Sequence, residues 1–303
     1  MNVKDGIIGF IVGDALGLPV EFHSKNQLRK NPVTTMTGYR TFKVPRGTWS
    51  DDSSLTLATI ASIVNKQGVD YEDVMNEFSN WFFNGKYTQY HNTFDYGVTT
   101  STPLYNYKRG IPALECGGKS DRYLDSGSLM RMLPLAFLQK PNIERVENFC
   151  RLTHEHEIPK IACNVYVEIG RSMTHRDLSI EEHVIKSINE VMKYYKDSKE
   201  LQKFKRIFDN NYVGGVYNSR YVVDTLECCI YCLENTNSYK DAVLKAVNLG
   251  SDCDTLAALC GGLAGIYYGI DEIPIYWIRK IPYINKVIPL CEKYEKFCKI
   301  YWG

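Results

Sequence analysis

The sequence predicts an all-α protein, and three observations lead to that prediction. Apolar residues recur at the three- and four-residue spacing of a buried helix face through most of the chain. Sustained alternation of apolar and polar residues, which would indicate strands, is scarce. The 303 residues include 44% hydrophobic residues, with no low-complexity tract and no linker-like run. We therefore expect a single globular domain over residues 1–303.

The helical spacing divides the chain into a series of predicted helices. The first carries glycines at positions 9, 13 and 17, which give it a smooth face for close packing, and it ends near Pro19. Residues 85–102 and 117–131 are predicted loops, and the second leads into a helix that continues through Leu138 with a kink at Pro134. The predicted helices cover residues 3–18, a stretch from 51 onward, 71–83, 144–171 with an interruption at 153–156, 187–208, 221–233, 237–247, most of 247–265, and 275–301.

Charge and hydropathy argue against several classes of protein. The 36 Lys and Arg residues nearly balance the 35 Asp and Glu residues, for a formal charge of +1, so no global basic field indicates nucleic-acid binding. The lysines of residues 187–208 are expected on a solvated helix face. The apolar run Ile7 to Val12 is too short to span a bilayer and lacks the features of a signal peptide. We expect a cytoplasmic monomer without membrane attachment.

The ten cysteines are predicted to be reduced core residues. They are spread over a large domain and lie mostly in apolar helical contexts, unlike the cysteines of a small secreted protein. Cys229 and Cys232 form a C-x-x-C pair, but no second pair and no flanking βαβ pattern accompany it. A redox or zinc function of this pair is therefore disfavoured.

Carboxylates and hydroxyls are concentrated at the starts of two predicted helices that lie far apart in the sequence. An aspartate in this place can cap free backbone N–H groups and is favoured by the helix dipole, but one aspartate suffices for capping. Two aspartates at each start instead suggest two halves of one site. The residues are Ser50, Asp51 and Asp52 at the first start, and Asp252, Asp254 and Thr255 at the second.

Such a cluster of carboxylates would need cations. Four carboxylates in a medium of low effective dielectric repel one another by several kcal/mol unless they are neutralised. Oxygen ligands without nearby His or Cys favour Mg²⁺, Mn²⁺ or Ca²⁺ over zinc. Because four aspartates balance the charge of two divalent ions, the sequence predicts a two-metal centre.

Three acidic residues outside this set are candidates for a further role. Asp95 lies in the predicted loop 85–102, and long irregular loops in compact domains are often functional. Glu21 follows the end of the first helix, where it can face a cleft. Asp14 is charged inside an apolar run, and a structural hydrogen bond explains it equally well.

Two further features could bind an anion or another part of a ligand. The glycine turn at Gly127 precedes a predicted helix, and its backbone N–H groups could face an anion. His154 and His156 are two residues apart and cannot share one face of a helix, so we expect at most one of them to contact a ligand.

In chain order, these motifs resemble those of the ADP-ribosylglycohydrolase family, typified by the dinitrogenase reductase-activating glycohydrolase. The resemblance spans nearly the whole chain, with Ser50 where the family usually has Thr and Ser126 where it often has Asn. His91 and Asn92 also replace a more usual glycine-containing approach to Phe94. The matching segments are residues 13–22, 49–53, 94–97, 127–131, 153–154, 221–227 and 247–269.

The resemblance implies an orthogonal multi-helix bundle with two Mg²⁺ or Mn²⁺ ions. It also implies hydrolysis of the glycosidic bond between ADP-ribose and an acceptor side chain, and arginine is the expected acceptor. The expected substrate is an ADP-ribosylated protein or an ADP-ribosyl small molecule. Asp95 and Glu21 would transfer protons or position the substrate, and Tyr221 would offer an aromatic platform to adenine. The implied metal ligands are Ser50, Asp51, Asp52, Asp252, Asp254 and Thr255, and the implied substrate contacts are Gly127, Ser128, Met130, His154 and Tyr221.

Two other functions stay open at this point. One keeps the metals and changes the substrate to another ADP-ribosyl or ribosyl conjugate. The other is a module that binds ADP-ribose without turnover, and the complete set of six oxygen ligands argues against it. Neither the acceptor nor the physiological metal follows from the sequence.

Overall fold

The computed structural model describes residues 2–138 and 142–302, and its regular structure is helical, as predicted. The extended pairings in these ranges are two isolated β-bridges, Gly118 with His154 and Asp125 with Tyr221. The α-helices are α1 Val3–Gly17, α2 Lys25–Lys30, α3 Asp51–Lys66, α4 Tyr71–Asn84, α5 Val98–Lys108, α6 Ile143–Arg151, α7 Glu157–Met173, α8 Ile180–Tyr194, α9 Lys205–Phe208, α10 Val222–Glu234, α11 Tyr239–Val247, α12 Cys253–Tyr268, α13 Ile275–Ile278 and α14 Ile284–Trp302.

The pairing of α1 with α12 forms the centre of the fold, and both helices are almost entirely buried. The predicted glycine face of α1 makes this contact. A Cβ atom at Gly13 would lie 2.0 Å from the carbonyl oxygen of Ala257, and one at Gly17 would lie 2.3 Å from the Cα of Asp254. No larger residue fits at either position, so glycine lets the two backbones touch.

Helix α3 completes the layer around this pair. It contacts α1 and α12 and packs against α4 and α14, so that the last helix closes onto the first part of the chain. Within that closure, the backbone N–H of Val3 donates to Glu295 and the hydroxyl of Tyr294 donates to the carbonyl of Pro134. The starts of α3 and α12 thereby lie beside the C-terminal half of α1.

The predicted loop 85–102 ends earlier than expected, because α5 begins at Val98. Its buried face is formed largely by small polar residues, Thr99, Thr100 and Ser101, together with Pro103 and Leu104. A helix buried through threonine and serine has no apolar periodicity, and an internal proline is a negative signal. Short helix α2 was also not predicted, although Ser24 and Gln27 form a capping box at its start.

The helix predicted to continue through Leu138 is wrong in type. Two short 3₁₀ helices, Leu129–Arg131 and Leu133–Phe137, stand there instead. In an α-helix the carbonyl of Gly127 would accept from the backbone N–H of residue 131. That carbonyl accepts instead from the guanidinium of Arg131 at 2.6 Å, and Pro134 has no N–H to continue an α-helical ladder.

Two other long predictions are interrupted. The lysine-rich stretch 187–208 is not one helix, because α8 ends at Tyr194 and a 3₁₀ helix, Lys199–Phe204, precedes α9. Its inner face, which includes Ser187, Ile188 and Val191, is buried. The closing stretch 275–301 is likewise divided into α13 and α14, with Tyr283 in the left-handed region at φ 55°.

All ten cysteines are buried and carry free thiols, as predicted. Within the described residues, no helix is long and apolar enough to cross a bilayer. The buried residues of this fold form the apolar helix core and the acidic cleft described next.

Candidate active site

The starts of α3 and α12 meet at a cleft, and loops from the first half of the chain and from the approach to α10 complete its wall. The lining contains all but two of the predicted metal ligands, and those two, Ser50 and Asp52, lie directly behind it. The lining residues are Glu21, Asp51, Asp95, Gly97, Thr99, Thr100, Asp125, Ser126, Gly127, Met130, Arg220, Asp252, Asp254 and Thr255.

Asp14 holds the start of α3 in place. Its carboxylate accepts hydrogen bonds from the backbone N–H groups of Ser50 and Ser53 at 3.0 to 3.1 Å and from the Ser53 hydroxyl at 2.5 Å. The structural interpretation of Asp14 therefore holds. Yet oxygen atoms of Asp14, Asp52 and Asp254 also lie within 4.8 Å of one another, so Asp14 borders the acidic cluster as well.

At the start of α3, the residues divide the capping and clustering roles. The Ser50 side chain caps the helix by accepting from the backbone N–H of Asp52 at 3.2 Å. The same hydroxyl donates to the Asp52 carboxylate at 3.1 Å. Asp51 lines the cleft, and Asp52 lies beside Thr255 at the start of α12.

At the start of α12, Asp252 occupies the N-cap position, but its side chain makes no capping hydrogen bond. Its carboxylate instead accepts from the hydroxyls of Ser126, at 3.0 Å, and Thr255, at 3.1 Å. Thr255 also lies 3.3 Å from both carboxylate oxygens of Asp52, which joins the two helix starts directly. Asp252 is therefore not a simple capping residue.

A second acidic group combines residues that the sequence separated into different roles. Oxygen atoms of Glu21, Asp95 and Asp254 lie within 4.8 Å of one another. One oxygen of each, Glu21 Oε2, Asp95 Oδ2 and Asp254 Oδ1, is buried and has no hydrogen-bond partner among residues 2–138 and 142–302. Because a buried polar atom without a partner is costly, these three oxygens are suited to a bound cation or a proton.

Burial controls the protonation of the whole cluster. It raises the pKa of Asp51, Asp52 and Asp254 well above the usual range, and neighbouring carboxylates raise each pKa further. Burial, followed by the charges of Asp95 and Asp252, raises the pKa of Glu21 to about 11. Divalent cations would remove this repulsion, and the set of hard oxygen donors fits Mg²⁺ or Mn²⁺.

The backbone near the cluster adopts left-handed conformations at three non-glycine residues. Phe22, directly after Glu21, has φ 66°. Asp95 has φ 54°, and Ser251, directly before Asp252, has φ 61°. Two backbone hydrogen bonds compensate the strain at Ser251. Its N–H donates to the His23 carbonyl, and its carbonyl accepts from the Phe22 N–H. Such residues cluster at functional sites.

The opposite wall is held by a chain of hydrogen bonds that runs from the core to the cleft. Arg131 is fully buried and donates to the Thr153 hydroxyl at 2.7 Å. Thr153 lies 2.6 Å from Nδ1 of His154, and Nε2 of His154 lies 3.1 Å from Asp125. Because Thr153 accepts from Arg131, its proton is free for Nδ1, and Nε2–H donates to Asp125.

These hydrogen bonds and the burial of the site determine the charges of His154 and Asp125. Burial lowers the pKa of His154, so the imidazole is neutral and serves as a hydrogen-bond donor. Burial opposes ionisation of Asp125, but hydrogen bonds from His154 and the Gly127 backbone outweigh it, and the pKa of Asp125 is lowered. An ionised Asp125 therefore faces the cleft.

The substrate-contact residues expected from the resemblance divide into two groups. Gly127 and Met130 line the cleft, although the Gly127 N–H already donates to Asp125 at 3.0 Å. Ser128 is fully buried beside Cys163, and His154 lies behind Asp125. Tyr221, at the start of α10, does not line the cleft.

Sequence reasoning missed three parts of the lining. Asp125 lies two residues before the matched segment 127–131, and Arg220 precedes Tyr221 in an otherwise unremarked loop. The hydroxyls of Thr99 and Thr100 belong to α5, whose helical character was not predicted. Two signals could have found Asp125 and Arg220. One is an aspartate close to a glycine loop, and the other is a cation just before a predicted helix.

The fold and the site together define a class of protein, an all-α protein with a buried carboxylate cluster where two helix starts meet. The chain belongs to the ADP-ribosylglycohydrolase family, because the sequence model of that family matches residues 2–300. It is therefore a glycosidic-bond hydrolase that acts on ADP-ribosyl compounds.

Individual relatives agree with this assignment. The chain is 27% identical to the ADP-ribosylarginine hydrolase Tri1 of Serratia proteamaculans, over 96% of this chain and 78% of that protein. It is 29% identical to the ADP-ribosyl-[dinitrogen reductase] glycohydrolase of Rhodospirillum rubrum, over 90% of this chain and 88% of that protein. A solved structure described as an ADP-ribosylglycohydrolase-related protein complex has the same fold, with a TM-score of 0.81, 23% identity and 98% of both chains covered.

Proposed function

We propose that this protein hydrolyses the N-glycosidic bond between ADP-ribose and an arginine side chain, with two Mg²⁺ or Mn²⁺ ions in the acidic cleft. The observation that carries the proposal is the buried carboxylate cluster, in which three oxygens have no hydrogen-bond partner in the part of the chain that the structure describes. The arginine linkage is supported by the similarity to an ADP-ribosylarginine hydrolase over 96% of this chain.

The residues that would hold the metals come from both helix starts. They are the hydroxyls and carboxylates at the start of α3 and of α12, with Asp14 behind them to keep the α3 start in place. When bound, divalent ions would orient the ribose hydroxyls, polarise a water molecule and neutralise the carboxylates. The proposed ligands are Ser50, Asp51, Asp52, Asp252, Asp254 and Thr255.

Glu21 and Asp95 form the proposed pair for proton transfer. Cleavage at the anomeric carbon passes through an oxocarbenium-like state and needs one group to hold a proton and another to accept one. The pKa of Glu21 is raised to about 11 and that of Asp95 to about 6, in both cases first by burial. Glu21 therefore keeps the proton of the pair and Asp95 accepts one, since two carboxyls with separated pKa values divide the acid and base roles.

Asp125 and Arg220 are proposed to orient the substrate at the mouth of the cleft. Asp125 is ionised and held by His154, which suits it to accept a hydrogen bond from a sugar hydroxyl or a guanidinium. Arg220 lines the same cleft, and its charge favours ionisation of Asp95 and Asp252. Its guanidinium could offset the charge of the diphosphate.

Release of ADP-ribose from three substrates in parallel tests the proposal. Arginine-, serine- and DNA-linked ADP-ribose would be incubated with the protein in Mg²⁺, in Mn²⁺ and in a chelator. We expect release from arginine in preference to serine, and no release in the chelator. Release from serine or DNA but not arginine would contradict the linkage, and full turnover in the chelator would contradict the metal centre.

A further inference from the structure

One stretch of the chain is strongly basic although the protein as a whole is not. From Phe22 to Ser50 the sequence has six Lys or Arg residues and no Asp or Glu, so with a total formal charge of +1 the rest of the chain carries −5. All six side chains are exposed, and none of them forms an ion pair with a residue in the described ranges. They are Lys25, Arg29, Lys30, Arg40, Lys43 and Arg46.

Half of these cations lie on a turn that is fixed beside the cleft. The turn, residues 39–46, is closed by a hydrogen bond of 2.9 Å from the Tyr39 N–H to the Val44 carbonyl. Thr41 attaches it to the end of α1, because its N–H donates to the Pro19 carbonyl and its hydroxyl to the Glu21 carbonyl, both at 3.0 Å. The basic turn therefore lies directly beside the backbone of Glu21.

Aromatic rings join the basic turn to the loop that carries Asp95. The ring of Phe42 lies 6.5 Å from that of Phe22 and 5.4 Å from that of Phe94, the residue before Asp95. Tyr39 and Phe22 are 67% and 58% exposed. The turn and the neighbouring Phe22 thus present cations and exposed rings at the rim, next to both proposed proton-transfer residues.

We propose that the basic turn is the docking surface for an acidic segment of the protein that carries the ADP-ribosylated side chain. The inference rests on the proposed function, since an acceptor whose ADP-ribose fills the cleft must leave its own backbone at the rim. Unpaired cations at that rim match carboxylates in sequence around the acceptor. The exposed rings add apolar contacts that a protein can use. The balanced charge of the whole chain favours a protein over a nucleic acid.

Peptide substrates of opposite character test the docking surface. Each peptide carries one ADP-ribosylated arginine, flanked by glutamates or by glutamines, and free ADP-ribosylarginine is the third substrate. The double variant Arg40→Glu/Lys43→Glu is compared with Lys186→Glu/Lys193→Glu on α8, which makes the same charge change on a helix packed against α7 and α10. Arg40→Gln/Lys43→Gln supplies a milder pair, and thermal melts check that every variant folds.

For the glutamate peptide at low salt, we expect Arg40→Glu/Lys43→Glu to lower kcat/KM about tenfold with kcat unchanged. The glutamine peptide and free ADP-ribosylarginine should be unaffected, the control variant should behave as native, and high salt should remove the difference. Equal kcat/KM values of the native protein for both peptides would overturn the proposal, as would an equal loss on all three substrates.

Two further outcomes would also overturn it, and they can be told apart. A larger loss on an ADP-ribosylated DNA oligonucleotide than on the glutamate peptide would assign the surface to nucleic acid. No release from any arginine substrate by the native protein would remove the proposed function, and the docking surface with it. Retained release from free ADP-ribosylarginine separates a failure of docking from a failure of the reaction.

Discussion

Asp252 and Asp254 stand where aspartates usually cap a helix, but neither stabilises α12 in that way. The Asp252 carboxylate accepts from Ser126 and Thr255, and Asp254 Oδ1 is buried with no hydrogen-bond partner among the described residues. A carboxylate that is buried, crowded by others and left without a donor destabilises a fold unless a ligand compensates it. These residues therefore point to a ligand rather than to the needs of the helix.

Asp95→Asn should lower turnover on arginine-linked ADP-ribose by about a hundredfold or more, the usual scale for loss of a general acid or base. The substitution keeps the shape of the side chain but removes its capacity to accept a proton. We expect metal affinity to stay near native, because the ligand sets of α3 and α12 are untouched. Turnover and Mn²⁺ affinity would be measured on the same preparation.

Asp121→Asn is a suitable control for Asp95→Asn, since Asp121 begins the short 3₁₀ helix Asp121–Tyr123 and its side chain is 94% exposed outside the cleft. It should leave turnover unchanged. Normal turnover of Asp95→Asn would transfer the role to Glu21. A loss of turnover that is fully recovered by excess metal would instead make Asp95 a ligand, in line with its position beside Glu21 and Asp254.

At the level of single residues, the sequence revealed the two hydroxyl and carboxylate sets but not the residues that surround them. Asp14 was ambiguous because one carboxylate can serve both a helix start and an acidic cluster. Asp125 and Arg220 could not be singled out, since their importance depends on a β-bridge that places residues 125 and 221 together. The role of the buried Arg131 likewise depends on partners that the fold brings to it, namely Gly127, Phe149 and Thr153.

Among the elements, the close pairing of α1 and α12 sets the geometry of the cleft. Gly17 lies against the Cα of Asp254, and Gly13 lies against Ala257 one turn further along α12. Asp14 lies next to Gly13 on α1, and its carboxylate holds the start of α3. Helix packing and site assembly thus depend on the same part of α1.

Gly13→Ala should destabilise the protein by about 1–3 kcal/mol, the usual range for overpacking, because its Cβ would lie 2.0 Å from a backbone oxygen that cannot rotate away. The forced separation of α1 from α12 should also weaken metal binding. Denaturant unfolding and Mn²⁺ affinity would measure both effects.

Gly68→Ala provides the comparison, because no atom of the described residues lies within 4 Å of a Cβ built at Gly68 and its backbone is not in the left-handed region. It should leave the free energy of unfolding unchanged or slightly higher. A Gly13→Ala protein as stable as Gly68→Ala would show that the helices are not in the tight contact described.

Element prediction succeeded where apolar periodicity was strong and failed where polar side chains or side-chain hydrogen bonds decide the conformation. Helices α1, α4, α10, α11 and α12 match their predicted spans closely. Helix α5 buries threonines and serine, and the 3₁₀ turns after Ser128 arise because the Arg131 side chain takes a carbonyl that the helix would need. Neither cause is visible as periodicity.

For the whole molecule, the acidic cluster makes the stability of the metal-free protein depend on pH. Burial raises the pKa of Asp14 to about 7 and that of Asp95 to about 6, above the value of about 4 expected in the unfolded chain. Between those values the folded chain binds more protons than the unfolded chain. Stability therefore falls as pH rises from about 4 to about 7, the sign required when a folded-state carboxyl pKa is raised.

Metal ions should restore the stability that is lost at the higher pH. They bind the folded state, and their positive charge neutralises the carboxylates that have lost their protons. The stabilisation by mass action is about 2.7 kcal/mol when free metal is a hundred times its dissociation constant. Asp254→Asn removes one charge from the cluster. In the absence of metal it should be at least as stable as the native protein, since Asp254 makes no capping contact.

The most direct test is a set of thermal melts of native protein and Asp254→Asn at about pH 5 and about pH 8, each with chelator or with Mg²⁺ or Mn²⁺. We predict that the metal-free native protein melts lower at the higher pH, that metal restores its Tm there, and that Asp254→Asn gains little from metal. A native Tm at the higher pH that metal does not change, or a metal-free Asp254→Asn that melts well below native, would contradict a metal centre in this cleft.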